Sequence, residues 1–160
     1  MRALLLIVLL AVLSGCASAD TGELRLVDTK GSVQLLRNEA WLRLPAVMVK
    51  GDEETNDTSV ACDESGASRS WSASTTALIN NSFAPRVEGV ATELVASFVD
   101  QGWTATDSTL SKEGSLATIE VLTTEKTAEH RASITITTTG PCVATDGAES
   151  EEVRVLEGRK

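Results

Sequence analysis

Aromatic side chains make up only 3% of these 160 residues: there is no tyrosine, and only two phenylalanines and three tryptophans occur. The core must therefore be assembled mainly from Ala, Val, Leu and Ile, whose smaller buried areas leave modest stability. Histidine occurs once, at His130, so an H-E-x-x-H metal motif is excluded. A G-x-S-x-G nucleophile elbow and a phosphate-cradling glycine loop are missing as well. Positive charge is also scarce. Fourteen basic side chains stand against 23 acidic ones, a net charge of −9, which disfavours nucleic acid and gives no attraction to anionic lipid. The one sustained apolar run, Ala3 to Leu13, would make a helix of about 16 Å, well short of the roughly 30 Å hydrocarbon core.

That run follows Met1 and the cationic Arg2, the layout of a signal peptide. It ends in Leu13-Ser14-Gly15-Cys16, where an ordinary cleavage site would end in a small residue without a thiol. The tetrapeptide resembles the lipobox of bacterial lipoproteins. The resemblance implies that the Cys16 sulfur takes a diacylglyceryl group, that residues 1–15 are cut away, and that Cys16 becomes the acylated first residue. Each buried acyl methylene contributes about 0.8 kcal/mol, and two chains give stable anchoring. The expected organisation is a signal peptide over 1–15, a lipidated cysteine and tether over 16–29, and one α+β domain over 30–160 with a short acidic C-terminal segment. The 145 residues from Cys16 onward make one domain of ordinary size.

With Cys16 acylated, Cys62 and Cys142 remain as an even pair in an oxidising compartment, and a disulfide between them is expected. Two free thiols or a metal site are the alternatives, and zinc would need ligands beyond the lone His130.

Val33, Leu36, Ala40, Trp41 and Leu44 recur at helical spacing and predict an amphipathic helix that Pro45 ends. Its apolar face suits a core better than a membrane surface, since only Arg37 and Arg43 flank it. Residues 50–70 read as a solvated acidic loop. Within it Asp52, Glu54, Asn56, Thr58 and Asp63 fall at EF-hand ligand positions, but Asp57 stands where that loop needs glycine, so calcium is not expected. Trp71, Ala73, Thr75, Ala77 and Ile79 alternate with Ser70, Ser72, Ser74 and Thr76, predicting a half-buried strand. Pro85 then opens a second helix with Val87, Val90, Ala91, Leu94, Val95 and Phe98 in one stripe, stopped by Gly102.

Three further strands are expected at Trp103 to Ser111, Ser115 to Thr123 and His130 to Thr139. Glu113-Gly114 and "TEKTAE" mark the turns between them. The predicted fold is α+β: a four-stranded, mostly antiparallel sheet, a helix across its apolar face, an additional N-terminal helix, and one disulfide. The lipobox, the Arg69-Ser70-Trp71 strand after a cysteine, Gly102-Trp103 at a helix end and the terminal Gly140-Pro141-Cys142-Val143 together resemble small lipoproteins of actinobacteria. That resemblance implies location and fold and assigns no active site.

Candidate chemistry is sparse. His130 sits at the edge of a strand's apolar face and reads as structural, and Asp100 and Asp107 flanking Trp103 form one carboxylate pair among many. Trp41, Trp71 and Trp103 each lie on an apolar stripe and read as core. The chain is therefore expected to be a non-enzymatic lipoprotein without cofactor or metal. It would be held at the extracytoplasmic membrane face through Cys16 and bind a protein partner or support assembly there. The alternative is a small-ligand carrier using a cavity between helix and sheet, with a hydrolase third.

Overall fold

A computed structural model describes residues 24–123 and 132–159. The elements run α1 (Leu26–Leu42), β1 (Val49–Ala61), β2 (Ser68–Ile79), a 3-10 helix (Asn81–Arg86), α2 (Val87–Val99), β3 (Thr104–Thr106), β4 (Thr109–Lys112), β5 (Ser115–Thr123), β6 (Ala132–Thr139), β7 (Val143–Ala144) and α3 (Glu151–Leu156). All ladders are antiparallel, in the order β1-β2-β6-β5-β4-β3, with β7 beside the start of β2. Among the described residues the sheet thus has seven strands where four were expected.

One of the extra strands comes from the stretch read as Trp103 to Ser111, which divides into β3 and β4. Asp107 adopts a left-handed conformation at φ 52° and reverses the chain between Thr106 and Thr109. Aspartate tolerates that region better than most residues. At Glu113-Gly114 both residues have positive φ, the requirement of a two-residue I′ hairpin turn. The larger correction is β1. Lys50 to Ala61 is a long edge strand paired with β2 from Val49↔Ile79 to Ala61↔Arg69, leaving only residues 62–67 as loop.

Strand alternation gives the sheet one packed and one hydroxyl-rich face. On the packed face, Ala77, Ile79, Leu110, Ala117, Ile119, Ile134 and Ile136 meet Val87, Ala91, Leu94 and Phe98 of α2 together with Ala40 and Leu44. Phe98 is fully buried and meets Trp103 edge-on, with centroids 5.7 Å apart. A second cluster joins Leu26 and Val33 of α1, Trp71 and Ala73 of β2, Val143 of β7 and Val153 of α3. On the other face Ser70, Ser72 and Ser74 are buried, although alternation alone places them toward water. Ser72 lies between the taller Thr58 and Thr139 and Ser74 between Asn56 and Thr137, while the Ser70 hydroxyl donates to the Gly140 carbonyl at 2.7 Å.

The N-terminal helix starts at Leu26, within the stretch expected as tether. Leu26, Thr29, Val33 and Ala40 recur at helical spacing and are all buried. Leu35 and Leu42 project outward instead, 71% and 81% exposed. The acidic C-terminal segment also folds. Ser150 caps α3 by accepting from the Val153 amide, and Val153 inserts fully into the second cluster.

Gly140 is where α1 crosses the end of β6. A Cβ built there would lie 2.3 Å from Thr29 Cγ2 and 3.0 Å from Val33 Cγ2. Gly140→Ala therefore overpacks the α1–sheet contact, with an expected loss of roughly 1–3 kcal/mol by urea titration. An unchanged midpoint would contradict this close approach.

Candidate functional site

An open groove of about 710 Å3 lies between α2 and β5. Helical spacing brings Glu88, Ala91, Thr92 and Val95 to one wall, while Ile119 and Val121 of β5 form the other. The β3–β4 turn contributes Asp107 and Ser108. Its floor is apolar, and Glu88 and Asp107 are exposed.

Among the described residues, the groove follows a strand edge that β4 leaves uncovered. β4 covers β5 only over Ser115 to Thr118, and the last contact is the Ile119 N–H donating to the Ser108 carbonyl at 3.0 Å. β5 continues to Thr123, with β6 on its other side. No strand lies along its outer edge beyond Ile119 among the described residues.

Polar side chains concentrate at the opposite side of the sheet, where α1 and α3 meet β1. Asp57 accepts from the Trp71 indole N–H at 2.6 Å and from the Gln34 amide at 2.9 Å. The Lys30 ammonium lies 4.4 Å from the Trp71 ring centroid and donates to the Leu156 carbonyl. Buried Arg69 donates through Nε and Nη2 to the Ser59 hydroxyl. That hydroxyl donates to Glu157 Oε1 at 2.6 Å, which also accepts from the Ser59 amide and the Thr58 hydroxyl. Glu157 thereby occupies an outward N–H of edge strand β1, a donor otherwise open to a foreign strand. These groups satisfy one another, so they read as a clamp that ties α1 and the segment after α3 to the sheet.

Burial pushes the Glu157 carboxyl up, but its hydrogen bonds from Ser59 and Thr58 and the charge of Arg159 outweigh this and hold it below the ordinary range. The clamp therefore contributes stability above the unfolded-state value of about 4.3, lost as pH falls through the lower folded value. Glu157→Gln is expected to cost about 1–3 kcal/mol at pH 7 and to flatten the acid limb of a stability–pH curve. An unaltered acid limb would show that another group governs it.

Cys62 and Cys142 are joined, with Cα atoms 6.2 Å apart. Cys16, the apolar run before it, His130 and the "TEKTAE" turn lie outside the described residues. The spacing that matched a calcium loop falls on a strand instead. Asp52 pairs with Ala77 and Asn56 with Ser74, across a bulge that places these two residues on opposite sheet faces. Asp63 accepts from the Ser65 hydroxyl and the Gly66 and Ser68 amides, and these bonds hold its carboxyl below the usual range. Asp100 ends α2 and Asp107 forms the β3–β4 turn, both exposed. Of the tryptophans, Trp71 is fully buried and Trp41 and Trp103 are half-buried against the main core. Strand-edge availability along β5 is what sequence reasoning missed, since it depends on where β4 stops. No family model, curated protein or solved structure matches the chain.

Proposed function

We propose that this chain is a non-enzymatic binding or assembly module, held by a diacylglyceryl group on Cys16 at the extracytoplasmic face of the cell membrane. The observation that carries the location is the Cys62–Cys142 disulfide, since such bonds persist in oxidising compartments and are rare in the cytosol. The apolar run ending in Leu13-Ser14-Gly15-Cys16 supplies an export signal and an acylation point consistent with it. The binding element on this reading is the α2–β5 groove.

A second reading is a small-ligand carrier, favoured by the groove's volume, which falls within the roughly 300–1,000 Å3 of ligand pockets. Affinity purification from native membranes beside a Cys16→Ala control separates the two. A stoichiometric protein partner lost in the control is the expected result. A co-purifying lipid or metabolite without a protein partner favours the carrier.

A further inference from the structure

We infer that the outer edge of β5 beyond Ile119 is a strand-addition site, which takes an extended, cationic peptide segment of a partner protein into the α2–β5 groove. This rests on the proposed binding role and names the partner's chemistry, and it does not depend on the lipid anchor.

Three observations converge on it. The first is the unfinished ladder. The Ile119 N–H points away from β6 to the Ser108 carbonyl, and main-chain groups alternate in direction along an antiparallel strand. Val121 therefore presents its N–H and C=O to that same outer side, past the point where β4 has turned away. An added strand would continue the line of β4 and satisfy these groups, the main-chain recognition used in strand-addition complexes.

Shape is the second observation. A strand on this edge places alternate side chains under α2, against Ala91, Val95, Ile119 and Val121. The groove is open to solvent along its length, which suits an extended chain better than a small molecule, whose surface a pocket mostly encloses. The contrast with β1 is informative. There Glu157 occupies the outward Ser59 amide, whereas no described side chain does so at Val121.

Charge is the third. Glu88 and Asp107 stand at the groove with no described basic side chain lining it, in a chain of net charge −9. Both carboxylates favour lysine or arginine on the incoming strand and disfavour an acidic one.

The test uses the full-length protein in detergent, with its Cys16 state read by intact mass, and the capped heptapeptide Lys-Thr-Val-Thr-Val-Thr-Lys as probe. Binding is followed by fluorescence anisotropy, and the Val121 amide by hydrogen exchange. Expected are saturable binding, slowed exchange at Val121, and much weaker binding when both peptide lysines are glutamates. Glu88→Gln with Asp107→Asn should weaken the lysine peptide roughly tenfold, as two partly exposed ion pairs together would. Val121→Pro removes the outward donor together with the valine side chain that lines the groove, and should weaken binding at least tenfold with the circular dichroism spectrum unchanged. Should that variant misfold, the double carboxylate variant and the Val121 exchange rate decide. No binding at millimolar peptide, or binding without Val121 protection, overturns the proposal whether or not Cys16 carries lipid.

Discussion

Trp71→Ala is expected to cost about 3–5 kcal/mol, a large share of the 5–15 kcal/mol that holds an ordinary domain. Trp71 is fully buried and is the largest side chain of the cluster joining α1, β2, β7 and α3. No second aromatic is present there to close over the cavity, since the remaining members are Leu, Val and Ala side chains. The substitution also removes the indole donor to Asp57 and the ring beneath Lys30. Trp71→Phe separates the two effects, keeping most of the volume while deleting the 2.6 Å hydrogen bond, and should cost about 1–3 kcal/mol. Urea unfolding followed by far-ultraviolet circular dichroism reads both. A loss below 1 kcal/mol for the alanine variant would mean that the second cluster contributes little to folding.

Removing the disulfide has an effect of similar size through the unfolded state. The bond closes a separation of 80 residues and ties the β1–β2 hairpin to the segment between β6 and β7. The loop-entropy model assigns on the order of 4 kcal/mol to such a closure. Cys62→Ser with Cys142→Ser is therefore expected to lose about 2–5 kcal/mol and to raise the denaturant m-value, because the released chain exposes more surface. Both cysteines are exposed, so reductant should reproduce the result in the wild-type protein without prior unfolding. An unchanged midpoint under reducing conditions would contradict it.

These two sites also mark how much could be read from the residues alone. The disulfide followed from counting cysteines once Cys16 was set aside. The second helix followed from its apolar stripe, and the Glu113-Gly114 turn from its glycine, because in each case the signal is local. β1 was not legible. Its residues "VKGDEETNDTSVA" are rich in types that strands avoid, and what makes them a strand is twelve residues of β2 alongside. The ends of the chain failed for a related reason. Residues 26–29 and 151–156 are short in isolation, and only their packing into the second cluster makes Leu26 and Val153 core residues. The Asp107 reversal was hidden because no glycine marks it. The groove was anticipated only as a possible cavity between helix and sheet, and its open strand edge is a property of β-pairing that no local pattern carries.

The hydroxyl-rich face and the groove face present different chemistry. Among the described side chains, the exposed charge beside the groove is acidic, while on the other face Ser70, Ser72 and Ser74 are hidden between threonines and other neighbours. A binding module oriented by a tether at the start of α1 would offer the groove to partners in the same compartment, which makes the attachment point the premise of the functional account.

The most direct measurement is the intact mass of the protein extracted from the membranes of a lipoprotein-processing bacterium, with fragmentation of its N-terminal peptide. The expected result is a chain that lacks residues 1–15, carries a diacylglyceryl group on Cys16, and holds the Cys62–Cys142 bond before reduction. A soluble chain cleaved elsewhere, or one with Cys16 unmodified, would contradict the anchored, extracytoplasmic reading.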